Sequence, residues 1–383
     1  MTSATNRSIT LIATSILVAC LAHSSEAQEA GDAECGFCGA ANALIARYNL
    51  EEGDTPVREH PGWRPPVKIV VQPADAEGPM QQVVPGIEVV GVNNAEEAAE
   101  QIVDADVYIV AWCDDETIRR GANLRWVHKF AAGVDECVTN PAFIERDILL
   151  TNTRRVFALP IAQHAIALML SLANKVPDYV AEQASGEWDG MMNPFERGHI
   201  ELDGKTMLVV GLGGIGTEIA RRGNGLGMRV IATRRSSRDG PEFVDYVGLS
   251  SEMPELARQA NVVVNALPLT AETRGILDAE FFAALPAGAL FINIGRGETV
   301  VTDDLVAALQ SGHVAGAGLD VTEPEPLPGG HPLWSMPNVI MTPHVANSSD
   351  MTIRRAGLLA SENLRRYVNG DRLLNVVAID EGY

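Results

Sequence analysis

The residues of this chain best suited to chemistry stand where short apolar runs end. The first set is Gly211-Leu212-Gly213-Gly214-Ile215-Gly216, which follows the run Met207 to Val210 and matches G-x-G-x-x-G. In a dinucleotide site each glycine has a mechanical task. Gly211 permits the tight turn, Gly213 lets a pyrophosphate approach the backbone, and Gly216 lets helix and strand pack closely. The free N–H groups of the following helix, with Gly214 and Ile215 in its first turn, then face the phosphates together with the positive end of the dipole. Glycines also punctuate ordinary turns. Here the motif lies between a strand, a helical stretch with Ile215 and Ile219 on one face, and a second strand from Met228 to Thr233. That setting points to a nucleotide.

The residue closing the second strand selects the cofactor. An NAD site carries Asp or Glu there to accept from the ribose hydroxyls, and an NADP site supplies Arg for the 2′-phosphate. The segment reads Thr233-Arg234-Arg235-Ser236-Ser237-Arg238, with no carboxylate before Asp239. Guanidinium and hydroxyl groups pair with a phosphate that a carboxylate would repel. NADP is therefore expected ahead of NAD, against the plainer reading of a solvated basic loop.

Three further groups close apolar runs downstream: Arg296 in INIGRG, Glu325 in LDVTEPEP and His344 in MTPH. They are a guanidinium, a carboxylate and an imidazole, which bind anions and move protons near neutral pH.

The elements that must position these groups alternate between strand and helix patterns. Strand runs cover 67–71, part of 84–90, 107–112 and 126–132, with a helical run at 95–103, and this smaller domain reaches about Asn152. A long helical segment from near Leu159 past Leu172 leads into the next domain. There strands at 207–210, 228–233, 262–266, 290–294, 317–321 and 339–342 make six, and Thr302 is a credible N-cap for the helix ending at Gly312. Ser348 to Tyr367 is helical and returns to the first domain. The expected fold is α/β, with two Rossmann-like doubly wound domains and the nucleotide-binding domain inserted into the substrate domain. In such sheets ligands sit at the carboxyl ends of the strands and in a cleft between domains. The expected boundaries are 1–27 signal peptide, 28–66 extension and linker, 67–152 with 348–383 substrate domain, and 153–347 dinucleotide-binding domain.

On these motifs the chain resembles the D-2-hydroxyacid dehydrogenase family, which is NAD(P)-dependent and specific for the D isomer. The matching segments are GLGGIG, PLTAETRGIL at Pro268 to Leu277, INIGRG, GLDVTEPEPLP and TPHVA, in the family's order and spacing, within roughly Val67 to Val377. Gln163 departs from the Glu that the family often has in the crossing helix. The resemblance implies reduction of a small 2-oxo acid to the D-2-hydroxy acid, and the reverse. It implies that Arg296 binds and polarises the substrate's oxo and carboxylate oxygens, that His344 is the proton donor and acceptor, and that Glu325 fixes the tautomer of His344. It further implies that backbone N–H groups at Ala132, Gly133 and Val134 take the substrate carboxylate. Leu267, Pro268, Thr273 and Ile294 are expected in the cofactor groove, and Asp320 on the nicotinamide carboxamide. No metal is expected, and the expected assembly is a homodimer. With no further domain after Tyr367, a long-form phosphoglycerate dehydrogenase is not expected.

Composition narrows the remaining classes. With 29 basic against 50 acidic residues the net charge is −21, which argues against nucleic acid as a partner. Arg7, the apolar run Ile9 to Ala22 and the small residues to Ala27 read as a signal peptide, too short to span a bilayer with ease. Leu17-Val18-Ala19-Cys20 also fits a lipobox, so lipidation at Cys20 is the one membrane contact expected. Cys35 and Cys38 form C-x-x-C near the new N-terminus and suggest a local disulfide in an oxidising compartment, while Cys113 and Cys137 stand alone. Export to the periplasm or cell envelope sits uneasily with the scarcity of free nicotinamide nucleotides there. That keeps a second function in view, a non-catalytic cofactor-sensing or scaffolding protein on the same fold.

Overall fold

The computed structural model describes residues 30–186, 188 and 197–379. The signal segment and Cys20 lie outside them. The chain divides into two units, one formed by the described residues up to Phe157 and from Ser349 onward, the other by Ala158–Ser348.

The first unit carries a five-stranded parallel sheet, β1 (Lys68–Val71), β2 (Glu88–Gly91), β3 (Val107–Val110), β4 (Trp126–Lys129) and β5 (Leu149–Asn152), in the order β2-β1-β3-β4-β5. The three central strands are buried along their whole length; β3 reads as a continuous apolar run rather than an alternating one, while β1 also buries Lys68 and β4 His128 and Lys129. Strands β3 and β4 end two and three residues before the apolar runs do. The following residues turn away to form loops at the carboxyl edge. Helix starts are capped by side chains, as where Asn94 accepts from Glu97 N and Asp114 from Thr117 N. The C-terminal helix Thr352–Asn369 covers one face, with Tyr367 stacked on Trp126 at 4.9 Å between ring centres.

Residues 51–66 hold a single 3-10 turn, Val57–Glu59, and are otherwise irregular, as a linker would be, but they are tied to this unit. Gly53 N donates to Leu373 O and Asn375 N to Glu51 O, both at 2.8 Å. Trp63 Nε1 reaches Tyr367 O at 3.0 Å, and Arg64 pairs with buried Asp106 at 2.7 Å. The cysteines differ from expectation. Cys113, just past β3, is bonded to Cys137 in the helix Asp135–Val138, and Cys38, expected in a local disulfide, is a free thiol; the side chain of Cys35 lies outside the described ones. Adjacent strands bring Cys113 and Cys137 together, which no spacing rule reveals.

The second unit has seven parallel strands rather than six: β6 (Thr206–Val210), β7 (Arg229–Arg234), β8 (Tyr246–Leu249), β9 (Val262–Asn265), β10 (Ala289–Asn293), β11 (Val314–Leu319) and β12 (Val339–Met341). Their order is β12-β11-β10-β9-β6-β7-β8, doubly wound about β6 and β9. The added strand, β8, is a short edge strand with exposed Tyr246, so it lacks the apolar run that marks the others. Phe281, Phe282 and Phe291 anchor the core between this sheet and its helices. Thr302 is not an N-cap. It is the first residue of the helix Thr302–Gln310, whose cap is Val301, and its hydroxyl donates to Glu323 O at 2.8 Å.

Candidate active site

In the seven-stranded unit the glycine turn follows directly from β6. Gly211 has φ +96°, and a Cβ there would sit 3.0 Å from Ala266 O. A Cβ on Gly216 would lie 2.1 Å from Gly211 O, so only hydrogen lets the helix close on the turn. Gly213 is the opposite case, exposed and with nothing within 4 Å of such an atom. It precedes the helix Gly214–Gly225 in extended conformation, with no side-chain cap over the first turn, and Ile215 is half-buried there. A turn with that opening fits a pyrophosphate.

The glycine turn is laced to the end of β7. Leu212 N donates to Thr233 O at 2.8 Å, and Arg234 Nε donates to Leu212 O at 3.0 Å. Arg234, half-buried, is thus held against the glycine turn by one edge of its guanidinium. Arg235 is exposed and lies 3.6 Å from Glu272.

Arg296 sits past the end of β10 between two cramped glycines. A Cβ on Gly295 would meet Leu267 O at 2.8 Å, and one on Gly297 would meet Thr322 O at 2.0 Å. Ile294 is buried, and Arg296 Nη1 donates to Gly295 O at 2.9 Å. Thr273 closes the loop after β9 by donating to Pro268 O at 2.7 Å.

His344 follows β12 with φ +54°, a conformation that a non-glycine residue holds only when its surroundings impose it. Asp320, at the end of β11, imposes it. Its backbone carbonyl accepts His344 N at 2.8 Å, and its carboxylate accepts Thr342 Oγ1 at 2.6 Å, Val345 N at 2.9 Å and Ala346 N at 2.9 Å. Asp320 is 2% exposed, so the structure spends the carboxylate on this turn rather than opening it to a ligand. From the side, His164 in the helix Ala158–Ala173 meets Thr342 Oγ1 at 2.8 Å. The outcome is the pair His344 Nδ1 and Glu325 Oε1 at 2.7 Å, with both side chains a little under half exposed. A carboxylate on Nδ1 favours the tautomer with its hydrogen there.

In the five-stranded unit, Ala132, Gly133 and Val134 form the turn between β4 and the helix Asp135–Val138. Asn152 Nδ2 donates to Ala132 O at 2.8 Å, and Val134 O accepts Cys137 N at 2.9 Å. None of the three N–H groups donates within the described residues, which suits a carboxylate.

Several supporting residues escaped the sequence reading: Asn152, His164 and Thr342, and also Asn265, Asn293 and Thr299, of which the last two donate to Arg296 O and are tied to each other through Asn265. The available signal was an Asn or Thr ending an apolar run, as in VVVN, FIN and LLTN, and it is too common to stand alone.

The fold and the site together define a Rossmann-type oxidoreductase. The chain belongs to the D-isomer specific 2-hydroxyacid dehydrogenase family: residues 166–346 match the model described as D-isomer specific 2-hydroxyacid dehydrogenase, NAD binding domain. Among its relatives, the Homo sapiens glyoxylate reductase/hydroxypyruvate reductase is 35% identical over 252 residues, covering 66% of this chain and 76% of that protein. The D-isomer specific 2-hydroxyacid dehydrogenase of Xanthobacter autotrophicus Py2, solved with NADPH and MES, is 31% identical with a TM-score of 0.72, covering 83% of this chain and 100% of that one. The NADPH-dependent glyoxylate/hydroxypyruvate reductase of Sinorhizobium meliloti, solved with NADP and sulfate, is 29% identical with a TM-score of 0.71, covering 82% and 99%.

Proposed function

We propose that this protein reduces a small 2-oxo acid to the D-2-hydroxy acid, and catalyses the reverse, with NADPH preferred to NADH. The observation that carries the reading is the His344 Nδ1–Glu325 Oε1 hydrogen bond at 2.7 Å on a turn that Asp320 holds in a left-handed conformation. Gly211, Gly213, Gly214, Ile215 and Gly216 would hold the pyrophosphate, while Leu267, Pro268, Thr273 and Ile294 would line the rest of the groove. The bound nicotinamide supplies or accepts the hydride.

The chain's own residues do the remainder. Arg296 presents its planar fork to the substrate's carboxylate and oxo oxygens and stabilises charge growing on the oxo oxygen. His344 donates a proton from Nε2 to that oxygen during reduction and takes it back from the hydroxyl in reverse. Glu325 keeps the ring in the tautomer that this transfer needs. The N–H groups of Ala132, Gly133 and Val134 receive the far carboxylate oxygens. Asp320 serves as a positioning residue for His344.

The NADP preference rests on Arg234 at the end of β7, where an NAD site carries a carboxylate, with Arg235 beside it. The names of the relatives put glyoxylate and hydroxypyruvate at the head of the substrate panel. Export is supported by Arg7, the apolar run after it and the Cys113–Cys137 disulfide, which suits an oxidising compartment. The protein is taken to act as a homodimer.

The test is NADPH oxidation with glyoxylate, hydroxypyruvate, pyruvate and bulkier 2-oxo acids, followed by chiral analysis of the product. Turnover to a D-2-hydroxy acid is expected. NADPH binding without turnover of any member would replace this reading with a cofactor sensor.

A further inference from the structure

Three buried polar side chains join the ends of β9 and β10 to the Arg296 loop. Asn265 and Asn293 are register partners on adjacent strands, and Thr299 stands in the loop beyond. They are 0%, 1% and 0% exposed. Asn265 Nδ2 donates to Asn293 Oδ1 at 2.9 Å and to Thr299 Oγ1 at 2.7 Å. Thr299 Oγ1 passes its single hydrogen to Arg296 O at 2.7 Å, and Asn293 Nδ2 donates to the same carbonyl at 3.2 Å. Asn293 Oδ1 accepts Gly295 N at 3.1 Å, and Asn265 Oδ1 accepts Leu267 N at 3.2 Å.

The polarity of the chain is set by Thr299. Its hydroxyl has one hydrogen, which goes to Arg296 O, so its oxygen must accept from Asn265. Asn265 therefore uses both amide hydrogens and its oxygen, which orients its side chain. The peptide units before Gly295 and after Arg296 are gripped at once, through Gly295 N and Arg296 O. That grip sets the direction in which Arg296 leaves the backbone. Buried polar networks carry a cost when incomplete and rigidity when complete, and this one ends on a residue whose work depends on direction.

We infer that Asn265, Asn293 and Thr299 are positioning residues that present the Arg296 guanidinium to the substrate, with the Thr299 hydroxyl as the link between the two strand ends and the Arg296 carbonyl. The inference rests on the reading of Arg296 as the substrate-binding arginine. Thr299→Val keeps the side-chain shape and removes the hydroxyl, leaving one Asn265 hydrogen without its acceptor and taking from the Arg296 carbonyl the shortest of its bonds, while Asn293 Nδ2 still donates to it. Thr299→Ser keeps the hydroxyl.

The experiment measures KM for the best 2-oxo acid, KM for NADPH and oxalate binding by titration calorimetry, for wild type, both Thr299 variants, Arg296→Lys and the double variant Thr299→Val/Arg296→Lys. Thermal unfolding of each is recorded alongside. Thr299→Val should raise the 2-oxo acid KM and weaken oxalate roughly ten-fold, about one unsatisfied hydrogen bond, with the NADPH KM within about two-fold. Thr299→Ser should match wild type. In the Arg296→Lys background the Thr299→Val effect should shrink to within about two-fold, because residues acting as a unit are not additive.

Full additivity in that background, equal loss of NADPH and oxalate, or wild-type behaviour of a folded Thr299→Val would each overturn the inference while leaving the proposed reaction intact. A Thr299→Val protein that fails to fold would leave the decision to Asn293→Ala under the same measurements. Wild-type protein that neither turns over a 2-oxo acid nor binds oxalate would overturn the role of Arg296, and this inference with it.

Discussion

In the seven-stranded unit the Arg296 loop and the His344 turn hang from side chains set into the protein: buried Asn265, Asn293 and Thr299 for one, buried Asp320 and half-buried Thr342 for the other. In the five-stranded unit the turn at Ala132–Val134 is bracketed by Asn152 on one side and by the Cys113–Cys137 disulfide on the other. The edge of that unit is sealed by chain from far away, since Glu52 bridges to Leu374 and Thr151 to Val376. One unit holds its functional groups through short hydrogen bonds between neighbouring strand ends. The other holds a backbone turn by a covalent link and a strap. A side chain that must aim at a reacting atom needs its direction set, and local hydrogen bonds do that. A turn that offers only N–H groups needs its path held, and a crosslink suffices.

The largest expected effect falls on the unit that aims side chains. His344→Ala should lower kcat by roughly 10²–10⁴, the usual size of an acid–base contribution, with little change in folding because the side chain is half-exposed. Steady-state kinetics across the 2-oxo acid panel check it, and a variant as fast as wild type would remove His344 from the mechanism. Glu325→Gln should fall between, since an amide still accepts from Nδ1–H but carries no charge.

The second prediction breaks the covalent side of the comparison. Replacing Cys113 and Cys137 by serine opens a loop of sequence separation 24. On the chain-entropy estimate this costs about 3–4 kcal/mol of stability in the five-stranded unit. Urea unfolding followed by Trp fluorescence reads it, through Trp126 in that unit's core. The loosened turn should also raise the 2-oxo acid KM while NADPH binding stays put. Unchanged unfolding and unchanged KM together would show the link to be incidental.

A third prediction returns to the glycine turn, where Arg234 Nε already binds Leu212 O. Arg234→Asp should reverse the order of kcat/KM for NADPH and NADH, a shift of roughly ten- to hundred-fold from one charge-assisted hydrogen bond. Equal use of both cofactors in wild type, unaltered by the substitution, would falsify the NADP assignment.

How far sequence carries differs between the units in the same way. The strands of both were legible where both faces are buried, because β6, β9 and β10 leave unbroken apolar runs. Two of the four edge strands were not: β8 has one exposed end, and β5 closes on polar Thr151 and Asn152. Arg296, Glu325 and His344 could be read because they sit in ordered motifs after strands. Asn265, Asn293 and Thr299 could not, since their meaning depends on the β9–β10 register that pairs the two asparagines. Cys113 and Cys137 looked isolated for the same reason. Only the pairing of β3 with β4 makes them neighbours, and the nearer pair, Cys35 and Cys38, drew attention instead.

The last prediction concerns a group that neither unit uses for chemistry. His128 on β4 is 0% exposed, with Nδ1 at 2.8 Å from Thr151 Oγ1 and no partner for Nε2 among the described residues. Burial alone pushes its pKa down to about 3. Above about pH 6.5 the imidazole is neutral in both folded and unfolded chains and adds no pH dependence. Below that value the unfolded chain binds a proton and the folded one does not, so stability falls as pH falls, until about pH 3, where the folded state also protonates. Across that window the slope due to this residue approaches about 1.4 kcal/mol per pH unit. His128→Gln removes the titration while keeping a group that can bond Thr151. Urea midpoints of both proteins between pH 7 and pH 4 isolate the difference, because every other carboxylate and histidine is common to the two. The variant should lose less stability on acidification. Parallel curves would mean that His128 takes up its proton within the folded sheet, and the five-stranded unit would then be looser around β4 than its packing implies.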